Sequence, residues 1–560
     1  MYLYETKEKL ASLIEASPLD FVYPPQVDMG DLSLPLFRLA KEKGVNPANL
    51  AVTLAGSIKD SPMLTGLVKK VEAVGPYLNF YLESASLAAA AVSNIEKGGV
   101  RYGSNSQGQD ELVMIEFSNA NTHKEYHIGH LRNLFYGDAV SRVLQLNGYR
   151  SVPVSYINDF GIHAAKTIWN WRRNPSFALM SGPKGRILGE CYSDAAKAME
   201  KDEAAKEEIS AIMKAIESRE GEIYELWKET RLWSIQYLDD VYQQLGIKFE
   251  NIFYESEEID TGLKMVEEFL EKGIFIRSQG AVIADLEQYD LGVLPIIRSD
   301  GTALYPVADL ALARRKFQAY PLKESIVVVD IRQGLYFKQL AKIFSLAGEN
   351  LNITHLGYDF VTLKDGMMSS RSGNVITYGQ IFDEALARSR QEIDTRHPDW
   401  MEEKKEKTAE ALAVSALKFE MLKVSSDKVI TFDMEEALRF DGYTAAYLQY
   451  TGARLSSILR KSEGGEAELR LLVHPKEHAL VLRLARYGEA VRKAGDDRDP
   501  SVIARYLFEL AQEFNDYYHE VNVLKAERPE AEARLALLKA IRQVFQNGFR
   551  ALGINYLEEM

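Results

Sequence analysis

Residues 116–135 read EFSNANTHKEYHIGHLRNLF, and the fold is decided by how this stretch changes periodicity. Val113, Met114, Ile115 and Phe117 form a short apolar run that ends in Asn, Ala and Thr turn chemistry. Leu131, Leu134, Phe135, Ala139, Val143 and Leu144 then recur at helical spacing, so a buried strand turns into a helix here. Such turns lie at the carboxyl edge of an open α/β sheet, where helix-terminal N–H groups attract anions and where ligands bind. His127 and His130 flank Gly129 at this corner, an arrangement suited to a nucleotide.

Working outward, SVPVSYINDFGIHAAK at 151–166 repeats the plan of strand, polar turn and helix, and two such units predict a parallel sheet. Residues 187–245 are long, acidic and helical, without proline or turn clusters, which predicts a helical insertion; a hairpin follows around Gln279-Gly280. The second half of the sheet is expected to resume near LGVLPIIRSDG at 291–301, with SIVVVD at 325–330 as a buried strand and a further strand in DFVTLKDG at 359–366. Tyr305 and Asp309 stand four apart at a helix start. They suit a cation, although an acid on the helix dipole beside a packed tyrosine explains the same spacing. The loop Met367-Met368-Ser369-Ser370-Arg371-Ser372-Gly373 has hydroxyls and one arginine suited to phosphate.

Before this core, residues 1–100 read as a separate α+β unit, joined through a soft linker at 96–110. Tyr77, Asn79, Phe80 and Tyr81 in its hairpin would stack on bases or, as is more usual, fill a core. Beyond about residue 405 the chain is almost purely helical, with Tyr443, Tyr447, Tyr450 and Arg454 on one stripe. A chain of 560 residues exceeds one core, and its formal charge of −14 argues against an evenly basic nucleic-acid coat while leaving room for a local basic face. One cysteine, Cys191, excludes an intramolecular disulfide framework and a cysteine zinc cluster. No apolar run reaches the length of a membrane span, and the start MYLYETKEKL is no signal sequence, so a cytoplasmic protein is expected.

His127-Ile-Gly-His130 followed some 240 residues later by Met-Ser-Ser-Arg-Ser-Gly resembles the paired signatures of class I aminoacyl-tRNA synthetases. Glu116-Phe117-Ser118, Asn121, Asn158-Asp159-Phe160-Gly161, Asp300-Gly301 with Tyr305 and Asp309, YLQYTGAR at 447–454 and EFNDYYHEV at 513–521 resemble the arginyl-tRNA synthetase family over essentially the full length. The resemblance implies a Rossmann-type catalytic domain at 108–385 carrying an inserted helical and hairpin segment at about 170–290. It implies an N-terminal α+β domain at 1–100 that touches tRNA, a connecting stem at 386–430 and a helical anticodon-binding domain at 431–560. It further implies a monomer that uses Mg²⁺-ATP to join arginine to tRNA(Arg) through an arginyl-adenylate, with no tightly bound protein metal.

By the same resemblance, Glu116, Asn119, Asn121, Tyr305, Asp309 and Gln333 surround arginine, with Glu116 and Asp309 pairing the guanidinium. ATP falls to His127, Gly129, His130, Lys124 and Met368, and the catalytic set adds Ser369, Ser370 and Arg371. Tyr77, Asn79, Tyr447, Gln449, Tyr450 and Arg454 fall to tRNA. Three departures stand out. Met367 and Ser370 occupy the places of two lysines in the family's second signature, and Lys124 is expected to supply the missing cation. His163 replaces a frequent glutamine and Tyr336 a frequent histidine; both are expected to bear on adenylate and ribose contacts and to leave the guanidinium set untouched.

Overall fold

The computed structural model describes residues 2–199, 204–364, 376–461, 465 and 467–560. Its centre is a five-stranded, all-parallel sheet of β1 (Leu112–Glu116), β2 (Arg150–Ile157), β3 (Asn251–Tyr254), β4 (Glu324–Asp330) and β5 (Ile353–Tyr358). The spatial order is β5-β4-β1-β2-β3, the doubly wound order, so the strand sequence reverses between β1 and β4. Glu116 at the end of β1 pairs in register with Val327 of β4 and Val154 of β2. The crossover helices include α1 (Ile128–Leu146), α2 (Ile162–Arg173), α3 (Gly221–Gln244), α4 (Glu255–Glu271), α5 (Pro306–Ala319) and α6 (Gly334–Leu346).

Helix α1 is buried on most sides, which the apolar spacing alone did not convey. Gly137 abuts the Phe117 ring so closely that a Cβ would lie 2.2 Å from it, letting helix and loop meet. Arg132, fully buried, donates to the carbonyls of Met421, Ser425, Ser426 and Lys428 at 3.1–3.2 Å, fastening α1 to the end of the following helical stem.

Several expectations change. The insertion expected at 170–290 contains β3, whose Phe253 packs with Val154 and Leu312, so the chain returns to the main sheet before 290. Residues 293–297 do not resume that sheet; they close a small antiparallel one with Ile276–Ser278 and Ala281–Asp285. Val361–Leu363 of the DFVTLKDG segment pairs with Ile430–Phe432, and the main sheet's last strand is instead ITHLGY. Periodicity cannot choose a strand's partner, and here long-range packing did. The soft linker is pinned: a helix runs through Gly98, Tyr102 stacks on Tyr487 at 6.2 Å and donates to the Leu484 carbonyl at 2.9 Å.

The N-terminal unit is a three-stranded antiparallel sheet, Leu32–Pro35, Val68–Val74 and Tyr77–Leu82, with helices. It docks on the C-terminal helices through Lys7–Glu489 at 2.8 Å, Tyr23–Glu489 at 2.7 Å and His478–Asp31 at 2.8 Å. Those helices include α7 (Ala445–Arg460), and Tyr443 lies just before it, off the expected stripe, because Thr444 caps the helix.

Candidate active site

The loop between β1 and α1 folds tightly. Ser118, Asn119 and His123 take φ values of 74°, 44° and 60°, a left-handed backbone that costs each of them. Compensation comes from outside the loop. Asn133 of α1 accepts from the Ser118 N–H at 2.5 Å, and the Ser118 hydroxyl meets Tyr126 and Tyr242 at 3.0 and 2.7 Å. His123 is buried against Thr230 at 2.9 Å, and its N–H donates to Ser234 at 3.0 Å. Helix α3 of the insertion thus braces the loop.

His127 is the N-cap of α1. Its Nδ1 accepts the Gly129 N–H at 3.1 Å, while His130 Nδ1 reaches back to the His127 N–H at 3.2 Å, a capping box built from two imidazoles. The rings stack with centroids 3.6 Å apart. Because both Nδ1 atoms accept, both Nε2 atoms carry the proton in the neutral ring. Burial, and then Lys124, pushes His127 down to about 4; burial, then His127 and Lys124, holds His130 well below the usual imidazole range, so both stay neutral near pH 7. Two uncharged N–H donors thereby stand at a helix N-terminus, where the dipole favours anions. A Cβ on Gly129 would lie 3.0 Å from the His127 ring, so glycine also makes room for this cap. Lys124 sits 4.9 Å over the Tyr192 ring, and burial lowers its ammonium.

Beside the pair, at the reversal between β1 and β4, lies a cavity of about 350 Å³. Glu116, Asn119, Asn121, Tyr305, Asp309 and Gln333 all line it, together with His130. A larger cleft of about 1260 Å³ between the insertion, the stem and the last helix contains none of the expected residues. Tyr305 caps α5 and stands 54% exposed at the mouth, with Asp309 one turn below. Burial, and then Glu116, pushes the Asp309 carboxyl up to about 7 although Tyr336 donates to it at 2.6 Å. Such a carboxyl favours an incoming cation.

Two assignments are revised. Glu116 is not free: it pairs with the buried Lys316, seven residues beyond Asp309 on α5, and accepts from Asn119 at 3.1 Å. Its charge is already matched, leaving Asp309 as the unneutralised acid. Tyr336 bonds Asp309 directly, so this departure does touch the guanidinium set. His163 is buried with Nε2 3.1 Å from the Asn158 carbonyl, and burial takes it down to about 3; it closes the turn at 158–161. Sequence reading missed Lys316, Tyr336 as an Asp309 partner, Tyr156 and Glu255; burial drives the Glu255 carboxyl up to about 8. A basic residue two helical turns after Asp309 was a signal available for Lys316.

The turn itself is held from the insertion. Asp159, fully buried, accepts from Arg231 at 2.5 Å and from the Ser256 N–H and hydroxyl at 2.8 Å each, and Trp227 donates to its carbonyl at 2.9 Å.

Residues 91–434 match the family described as tRNA synthetases class I (R), catalytic domain, residues 5–82 the arginyl-tRNA synthetase N-terminal domain, and residues 448–560 the DALR anticodon-binding domain. The arginine–tRNA ligase of Bdellovibrio bacteriovorus is 34% identical over 552 residues, covering 96% of this chain and 94% of that protein. The chain belongs to the arginyl-tRNA synthetase family. The Treponema pallidum arginine–tRNA ligase is 33% identical, covering 98% and 96%. The arginyl-tRNA synthetase of Thermus thermophilus superposes with a TM-score of 0.82 at 28% identity, covering 100% of both chains.

As in a synthetase of this family, surfaces far from the cavity are where tRNA contacts were expected, and the side chains there divide. Tyr77 is exposed, edge-on to Phe37 at 5.8 Å. Asn79 is 4% exposed and accepts from Ser33 at 2.6 Å, so it fixes the sheet and is not presented at the surface. Gln449 is 0% exposed, donates to Ser415 and the Asn555 carbonyl at 3.0 and 2.6 Å, and accepts the Leu557 N–H. It anchors the chain's last residues. Arg454 lies 4.8 Å over Tyr450 and donates to Asn515, which in turn donates to the Tyr447 hydroxyl at 2.9 Å, forming one half-buried patch. Met368, Ser369, Ser370 and Arg371 lie outside the described residues.

Proposed function

We propose that the chain ligates L-arginine to tRNA(Arg) with ATP, releasing diphosphate and then AMP. The observation that carries this reading is the convergence of six side chains, widely separated in sequence, on one cavity beside the His127–His130 cap. In it, Asp309 takes the guanidinium, Tyr305 closes over the side chain, and Asn119, Asn121 and Gln333 hold the polar end. A carboxylate oxygen of arginine attacks the α-phosphorus while the bond to the diphosphate oxygen breaks. Positioning and cationic or N–H donors carry most of such a step. His127 and His130 donate from Nε2 to phosphate oxygens, and Lys124 supplies the ammonium that residues 367–370 lack. A terminal ribose hydroxyl of tRNA then attacks the adenylate carbonyl and AMP leaves.

Mg²⁺ enters with ATP as part of the substrate; among the described residues no cluster of three or more His, Cys, Asp or Glu suits a resident metal. The reading includes a monomer in the cytoplasm, and no helix among the described residues is long and apolar enough to cross a membrane. The domain limits we adopt are 1–100, 108–385, 386–430 and 431–560, with Tyr77 and the Tyr447–Tyr450–Arg454 patch facing tRNA. Arginine-dependent ATP–diphosphate exchange, measured with and without tRNA(Arg), tests the reading. Arginine-specific exchange and charging are expected; neither, even with cognate tRNA, would refute it.

A further inference from the structure

Tyr156 stands on β2 with its ring among Met114, Val154, Phe253 and Leu312 and its edge in the wall of the 350 Å³ cavity. It is 6% exposed, and its hydroxyl is buried without any hydrogen-bond partner. An unmade hydrogen bond of this kind costs about 1–3 kcal/mol and is seldom left standing in a native core. Water does not reach the hydroxyl, so its partner must come from the protein or from what the protein binds. The charge that acts on it most is Asp309, ahead of Glu255, Glu116 and Asp159. Glu116 is matched by Lys316 and Asn119, and Asp159 by Arg231 and Ser256. Glu255 is bonded to Asn158 and to the Phe160 backbone. On Asp309, Tyr336 donates to Oδ2 only. Every acid around Tyr156 is therefore provided for except one oxygen of Asp309.

We propose that Tyr156 is a positioning residue for arginine, its hydroxyl donating to the Asp309 carboxylate once that carboxylate is ionised against the guanidinium. Two phenols, Tyr336 from α6 and Tyr156 from the end of β2, then hold the carboxylate and fix the plane it offers to the planar, forked cation. This inference rests on reading the cavity as the arginine site. The groups that face Asp309 are Glu116 from β1, Tyr156 from β2, Tyr305 and Lys316 from the α5 segment, Tyr336 from α6 and Glu255 from α4.

Tyr156→Phe removes the hydroxyl and keeps the ring. Arginine binding to the full chain is followed by calorimetry from pH 6 to 9, alongside the melting temperature. In the wild type, affinity weakens below a break near pH 7, where Asp309 takes up its proton. In the variant that break moves up by about one pH unit if one donor to the carboxylate is lost. Arginine then binds about tenfold more weakly at pH 6 and nearly as the wild type does at pH 9, with kcat unchanged at saturating arginine. The melting temperature of the free protein does not fall, since an unsatisfied hydroxyl has been removed. An unmoved break in a folded variant overturns the inference, and so does a loss that is equal at all pH values. A wild type that binds no arginine overturns the reading of the cavity itself, a result distinct from either.

Discussion

Asp309→Asn removes the charge that the cavity is built to present, and the fold should gain from it. The carboxyl stands at about 7 against an ordinary 3.8, so the folded protein holds this proton more tightly than the unfolded chain does. Below about pH 4 both states are protonated and the group contributes nothing to stability. Between pH 4 and 7 the unfolded chain releases its proton first, and the fold loses stability until the full penalty is in place above pH 7. At about 1.4 kcal/mol per tenfold in proton affinity the penalty is on the order of 4 kcal/mol, reduced to about 2 kcal/mol by water in the open cavity. Asparagine carries no such penalty. Of the five tryptophans, Trp169, Trp171, Trp227 and Trp233 lie in or next to the insertion, so tryptophan fluorescence during heating reports on the catalytic unit. At pH 8 the ligand-free variant should melt roughly 2–4 °C above the wild type, and the difference should shrink toward pH 5. Arginine should raise the wild-type melting temperature and leave the variant's unchanged. A variant that melts at or below the wild type at pH 8, with the same difference at pH 5, would refute the reasoning.

Three further outcomes follow from particular contacts. Lys124→Ala should lower the rate of adenylate formation at least tenfold while calorimetry finds arginine affinity nearly unchanged; equal turnover would remove Lys124 from the phosphate site. Arg231→Met leaves the buried Asp159 without its cation and should destabilise the catalytic unit by about 3–5 kcal/mol in urea titrations, with a smaller loss counting against the bridge. Gln449→Ala should cost about 2 kcal/mol of stability by exposing three hydrogen bonds inside the C-terminal helices, and a stable variant with weakened tRNA binding would restore the surface role.

What could be read from sequence was local. The strand, polar loop and helix around residues 116–135 were legible because periodicity changes within twenty residues, and the six cavity residues only through the resemblance of their segments to the arginyl-tRNA synthetase family. Partnership was not legible. Nothing near Glu116 announces Lys316, two hundred residues away, and nothing in INDFGIH tells that His163 turns inward onto the Asn158 carbonyl. Tyr336 looked like a substitution at the nucleotide, since its neighbour Gln333 lies at the sheet edge; only the packing of α6 against α5 aims its hydroxyl at Asp309. Gln449 and Asn79 were misjudged for the same reason, because a polar residue on a helix or strand does not reveal which face the rest of the chain covers. β3 was hidden by its brevity, four residues after a long helical run.

The contact between the N-terminal sheet unit and the C-terminal helices has a bearing on how the chain matures. Lys7 and its partner Glu489 are separated by 482 residues, so at 5–20 residues per second the first waits roughly 25–100 s on the ribosome for the second to be made. During that interval Lys7, Tyr23, Asp31 and Tyr102 present an unmatched face, and so does the catalytic unit around Arg132 until residues 421–428 emerge. Synthesis is therefore the period of greatest aggregation risk, and slowing translation near residue 480 should lower the soluble yield of the full chain even though the finished protein is unaltered.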